Sequence, residues 1–327
     1  MRKILKIITA GVAALLLCGC GAAPQPVPET TQPPEATVTE ATVADITPEA
    51  EALAEAPPPA VAVVLQPEAP GTVEERCEVA VIDYSHIPDG YVMAQYTGHT
   101  ESRLKVLVKG PTTKYSYNLT PGQWGVFPLS DGNGDYQVGI YENVVDSKYA
   151  LVLLAEFSVE LTDEFAPFLR PNQYVNYTQA TQAVATGLEI TAGLEEPLEK
   201  VAAVYDYVVS NLSYDYEKAQ TVKSGYLPDL DLVLAEKKGI CFDYAALMTA
   251  MLRSQEIPCK LVVGYAGETY HAWISVWTEH DGWVDGVIFF DGHVWKRMDP
   301  TFASSGERSE EIMDFIEHGT YTVKYLY

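Results

Sequence analysis

The sequence predicts an α+β chain in which an all-β sandwich precedes a segment with a helical part and an antiparallel sheet. Three observations predict it. Residues 76–165 hold seven short runs rich in Val, Tyr and Leu, separated by Gly, Asp, Asn and Pro. Residues 196–212 repeat apolar side chains at three- and four-residue steps, the spacing of one helix face. Residues 259–298 then return to short strand-like runs.

The first element is not part of the fold. In MRKILKIITAGVAALLLCGC, Arg2, Lys3 and Lys6 precede an apolar run from Ile7 to Leu17. That run is short for a membrane-spanning helix and reads as a signal peptide over 1–20. Its end, Leu17-Cys18-Gly19-Cys20, resembles a bacterial lipoprotein box, which implies acylation at Cys20 and a lipid-anchored protein facing the extracellular side or the periplasm. Cleavage without acylation is the alternative. Residues 21–75 carry eleven prolines, ten acidic residues and no Lys or Arg, so they are expected to be an extended, self-repelling acidic spacer.

The sandwich follows over 76–165. CEVAVIDYS, GYVMAQYTG, RLKVLVKG, TKYSYNLT, WGVFPLS, GDYQVGIYEN and YALVLLAEFSVEL are its strands. Lys105-Val106-Leu107-Val108-Lys109 alternates with period two, as a strand with one buried face does. The pattern predicts an immunoglobulin-like sandwich, with a small barrel as the alternative. Asp131-Gly132-Asn133-Gly134-Asp135 has the look of a calcium loop but lacks its later ligands, and DGNG reads as a hairpin turn.

The second domain is expected over 166–327. Leu198, Val201, Ala202, Tyr205, Val208, Val209 and Leu212 make one helix face. A long polar and aromatic loop over 213–239, with at most a short helical turn, is a candidate rim of a cleft. From Phe242 to Arg253, Ala245, Ala246, Leu247, Met248, Met251 and Leu252 cover a wide arc, which predicts a helix through the middle of the domain that Ile257-Pro258 ends. Strands are expected at 259–265, 271–277, 283–290 and 294–298, and YTVKYLY at the C-terminus reads as an edge strand.

This places Cys241 at the N-terminus of the central helix, where free N–H groups and the helix dipole favour a thiolate. Gly239 leaves room for a close backbone approach. His271 opens a strand able to bring an imidazole to the thiol, and Asp299 ends a neighbouring one. Nucleophile, base and orienter are the parts of a thiol acyl-transfer site. A lone Cys before a helix is more often a packed core residue, so spacing alone leaves both readings open.

The motifs themselves say more. G-x-C-x-D-Y-A at 239–245 with L-R-S-x-x-I-P at 252–258, H-A-W at 271–273 and W-x-x-M-D-P-T-F at 295–302 resemble, in the same order, the three motifs of transglutaminase-like proteins. The resemblance covers roughly 180–302. It implies a papain-like fold with a Cys241-His271-Asp299 site that attacks an amide; separately, no Gly-rich phosphate or dinucleotide motif appears, so no cofactor is expected. The resemblance also implies a peptide or protein substrate. For a tethered chain that substrate is a peptidoglycan peptide or a surface protein, cut by peptidase or amidase action. The alternatives are glutamine-directed cross-linking and, in another class, a non-catalytic surface binding or scaffold protein. The Cys241 N–H is expected to donate to the oxyanion, with Tyr214, Tyr216 and Tyr226 as candidates for the second donor.

A formal net charge of −24 excludes the basic footprint that nucleic acid needs. Cys77 and Cys259 remain as a possible extracytoplasmic disulfide, although Cys259 is more simply a small buried strand residue. Six scattered histidines offer no zinc cluster.

Overall fold

The structure is a computed structural model that describes residues 61–280, 282–285, 288–290, 295–297 and 320–327. The signal peptide with Cys20, most of the acidic spacer, and Asp299 lie outside the described residues.

The alternating runs become strands in sequence order: β1 (Glu74–Arg76), β2 (Ala80–Asp83), β3 (Tyr91–Tyr96), β4 (Leu104–Lys109), β5 (Lys114–Leu119), β6 (Gly125–Pro128), β7 (Gly134–Val145) and β8 (Lys148–Val159). They form two four-stranded antiparallel sheets, ordered β1-β2-β3-β6 and β5-β4-β7-β8. Alternation decides the inner faces: Leu104, Val106 and Val108 of β4 and Tyr115, Tyr117 and Leu119 of β5 are buried. Tyr117 meets Phe127 of the other sheet edge to face, with ring centroids 5.1 Å apart.

DGNG is not a hairpin turn. It joins β6 to β7, which belong to different sheets. Asp131 instead accepts the N–H groups of Thr112 and Thr113, both at 2.7 Å, and so ties the loop to the β4–β5 turn. Residues 61–73, which composition assigns to the spacer, lie against the fold. Ala62 is buried, the Val63 N–H donates to the Ser254 carbonyl at 2.8 Å, and the Gly71 N–H donates to Asp83. Pro57–Tyr327 form one compact unit.

The second half begins with helices α1 (Gln182–Ile190) and α2 (Pro197–Asn211). The expected long loop is then largely ordered. Two residues of β9 (Ser213–Tyr214) pair in parallel with β10 (Lys238–Gly239), and between them lie α3 (Tyr216–Thr221) and α4 (Leu230–Glu236). Each short helix is capped by an aspartate side chain: Asp215 accepts from the Lys218 N–H and Asp229 from the Leu232 N–H.

Helix α5 (Cys241–Arg253) is the central helix that the wide apolar arc predicts. Every residue from Asp243 to Arg253 is buried, and α1, α2 and the sheet pack around it. Each large apolar side chain here contributes about 1.5–3 kcal/mol, and truncating Leu247 to Ala is worth about 2–5 kcal/mol. Its C-terminal Arg253 is fully buried and donates to the carbonyls of Cys259 (2.8 Å), Arg170 (2.6 Å) and Tyr327 (2.7 Å). One guanidinium thus ties the helix end to three chain segments.

The sheet beside α5 has the order β13-β12-β11-β16, made of β11 (Cys259–Ala266), β12 (Thr269–Thr278), β13 (Gly282–Asp285) and, after the short pair β14 (Ile288–Phe290) and β15 (Trp295–Arg297), β16 (Tyr321–Leu326). The expected strand 283–290 is two strands, β13 and β14, in different sheets. The C-terminal run is an edge strand, as read. Gly264 of β11 stands opposite His271, and β16 passes so close that a Cβ there would lie 2.0 Å from the Thr322 carbonyl oxygen.

Candidate active site

Cys241 is the first residue of α5. Its main-chain N–H belongs to the helix's unsatisfied first turn and meets no acceptor among the described residues. His271 sits near the start of β12, the strand that packs on α5, and is 3% exposed. Both line one cavity of about 580 Å³. Its walls are aromatic, with Tyr174, Tyr214, Tyr226, Phe242, Tyr270 and Tyr325 among them, and hold no carboxylate among the described residues. The structure therefore brings two members of the sequence-predicted triad to one cavity, while Asp299 lies outside the described residues.

What holds the thiol-bearing turn in place is a group the motif reading passed over. Asp243 is 0% exposed and accepts from the Ile240 N–H at 2.8 Å, one half of a capping box at the helix start. Its other partners come from α3 and the loop after it: the Lys218 ammonium at 2.7 Å and the Tyr226 hydroxyl at 2.5 Å. Lys218 also donates to the Tyr226 oxygen at 2.5 Å and stands over its ring. Burial first, then the bond to Asp243, raises the Tyr226 phenol far above the ordinary range. The space beside Gly239 is filled by this carboxylate: a Cβ on Gly239 would lie 2.8 Å from the Asp243 Cβ. The signal was present in the sequence as a glycine two positions before Cys241 and an acid at the third helical position.

These contacts sort the tyrosine candidates. Tyr226 lines the cavity, but its hydroxyl hydrogen is committed to Asp243. Tyr216 is 56% exposed, does not line the cavity, and packs edge-on against Tyr214. Tyr214 lines the cavity.

The three thiols of the described residues are free. Cys259 is fully buried in β11 near Thr249, and burial pushes it up to about 11. The optional Cys77–Cys259 bridge is therefore not formed.

Residues 184–286 match the Transglutaminase-like superfamily, a stretch that contains Cys241 and His271 and stops before Asp299. An uncharacterized protein of Mycobacterium leprae (strain TN) is 33% identical over 138 residues, 38% of this chain and 46% of its own length. The YebA protein of Bacillus subtilis (strain 168) is 25% identical over 196 residues, 53% of this chain and 26% of its own. A protein-glutamine gamma-glutamyltransferase of Pseudomonas aeruginosa is 27% identical over 98 residues, 26% of this chain and 13% of its own. This chain thus spans less than half the length of each of these relatives. The solved periplasmic domain of TgpA from Pseudomonas aeruginosa superposes at 16% identity with a TM-score of 0.30, over 70% of this chain and 92% of that one. The sequence match gives residues 184–286, the stretch in which α5 packs on β12, the transglutaminase-like superfamily fold.

Proposed function

We propose that the protein is a thiol acyl-transfer enzyme that attacks an amide bond, acting as a peptidase or amidase. The observation that carries this reading is the shared cavity: Cys241, at a helix N-terminus, and His271, on the strand packed against that helix, line it together. In the proposed cycle His271 takes the Cys241 thiol proton as the sulfur attacks the amide carbonyl carbon, and a thioester forms. The C–N bond breaks as His271 gives the leaving amine its proton. Water then gives a proton to His271 and attacks the thioester, the C–S bond breaks to release the acid, and His271 returns that proton to the sulfur. The Cys241 N–H donates to the oxyanion, and Asp299 orients the imidazole.

Transfer to an amine instead of water uses the same thioester. The partial match to a protein-glutamine gamma-glutamyltransferase favours it as the second reading. The test is incubation with peptidoglycan stem peptides and with a glutamine peptide plus a primary amine, followed by product mass. Cleavage or deamidation that is lost in C241A supports hydrolysis, and an amine adduct supports transfer. Full turnover by C241A refutes the thiol mechanism.

Two features extend the reading. The split of strands into β1-β2-β3-β6 and β5-β4-β7-β8 supports an immunoglobulin-like sandwich for residues 74–159. The basic, apolar leader that ends at Cys20 supports a lipid tether outside the membrane, with peptidoglycan or surface proteins in reach. Metabolic lipid labelling that is equal in wild type and C20A contradicts the tether.

A further inference from the structure

Among the described residues strand β5 is the outermost strand of its sheet, so one of its two hydrogen-bonding edges has no neighbouring strand there. Its paired edge is fixed by β4, with Leu107 opposite Ser116 and Lys105 opposite Asn118. In an antiparallel ladder alternate residues turn both main-chain groups toward the partner, and those between turn both away. Asn118 is one that turns away: its N–H donates to Gln173 Oε1 at 3.1 Å and its carbonyl accepts from Gln173 Nε2 at 2.7 Å. The Gln173 amide thus stands in for a neighbouring strand at that position.

Ser116, two residues earlier, has the same orientation and is exposed. Its carbonyl is met only by the Tyr174 hydroxyl at 3.4 Å, and its N–H has no acceptor among the described residues. Ser116 also lines the cavity that holds Cys241 and His271. An unpaired N–H and C=O on a strand edge are a template for an extended chain. The sheet N-terminal to the transglutaminase-like segment therefore supplies one wall of the candidate active site.

We propose that the β5 edge at Ser116 is a substrate subsite, where the peptide carrying the reacting amide pairs as an added antiparallel or parallel strand. The ligand class is an extended polypeptide, held by its main chain. This rests on Cys241 being the nucleophile, and it assigns the β-sheet domain a part in binding. Gln173 limits the paired length, since it already occupies Asn118.

Chloromethyl ketones test it, because the halide leaves as Cys241 sulfur bonds to the reagent's methylene carbon. Acetyl-tetraalanyl and acetyl-alanyl chloromethyl ketone are compared on the whole protein, and the ratio of their labelling rates at Cys241 is read by mass spectrometry. Two main-chain hydrogen bonds are worth about tenfold in that ratio. The expected result is a ratio of about ten in wild type and about three in S116P, which lacks the N–H and keeps the carbonyl. A second arm needs no mutation: the tetraalanyl reagent N-methylated at each amide in turn loses the gain at one position. A ratio near one in wild type, a ratio kept in S116P, or indifference to N-methylation at every position overturns the subsite. Failure of iodoacetamide and both ketones to label wild-type Cys241 overturns the nucleophile as well.

Discussion

Replacing Asp243 tests how the thiol-bearing turn is held. The carboxylate is 0% exposed and serves the Ile240 N–H, the Lys218 ammonium and the Tyr226 hydroxyl at 2.8, 2.7 and 2.5 Å. In D243A, Lys218 can turn to water, since its side chain is 27% exposed. The Tyr226 hydroxyl lines the cavity, but the Ile240 N–H sits in a buried bond and keeps no such escape, and an orphaned donor of that kind costs about 1–3 kcal/mol. Losing the carboxylate also relieves its own desolvation, and Lys218 is not left as a buried charge, so the net expectation is about 1–3 kcal/mol. That is measurable against a total stability of about 5–15 kcal/mol. D243N keeps an acceptor for one donor and is expected to lose about half as much. Urea unfolding followed by circular dichroism gives both numbers, and iodoacetamide alkylation gives the Cys241 rate. Losses of the stated size with altered Cys241 alkylation are expected. A D243A protein within about 1 kcal/mol of wild type, alkylated at the wild-type rate, refutes the reasoning.

Three further perturbations test other parts of the structure. R253M takes the Arg253 donor from the carbonyls of Cys259, Arg170 and Tyr327, the last of which keeps the Leu261 N–H, and is expected to cost about 2–5 kcal/mol in a urea titration; a loss under about 1 kcal/mol contradicts the account. Lys260 lies 3.4 Å over the Trp283 ring, and burial lowers its ammonium from 10.5 to about 8. Between those values the unfolded chain binds the extra proton, so the Lys260 contribution makes wild-type stability rise with pH across that window. The amine is part-exposed, and screening reduces the cost to on the order of 1 kcal/mol. K260M is expected to raise the melting temperature at pH 7 and to lose that advantage above pH 10.5; an advantage that grows with pH contradicts the sign. Cys259 is expected to resist alkylation in the native protein and to react only on unfolding; native labelling at the Cys77 rate contradicts its burial.

Where large apolar side chains carried a clear period, the sequence was legible. The helix read at 196–212 is Pro197–Asn211, the one read at 242–253 is Cys241–Arg253, and all seven expected sandwich runs contain strands. Helix α1 was missed because its buried face consists of Ala183, Val184, Thr186 and Gly187, too small to stand out as a stripe. Strand β1 was missed because Glu74-Glu75-Arg76 has no apolar residue, and pairing with β2 alone makes it a strand. The short helices α3 and α4 were legible only through their aspartate caps. Cys241 and His271 were readable as motif positions. The buried partners of Asp243 were not, because Lys218 and Tyr226 reach it from a distance of 17 to 25 residues along the chain. The share of β5 in the cavity depends on tertiary packing and has no local signature.

The most direct test of the central claim is iodoacetamide alkylation of the three thiols in the folded protein, followed site by site in wild type and H271A. The account predicts that Cys241 reacts far faster than Cys77 and Cys259, and that H271A removes most of that advantage. A Cys241 that reacts no faster than Cys77, or keeps its full rate in H271A, contradicts it.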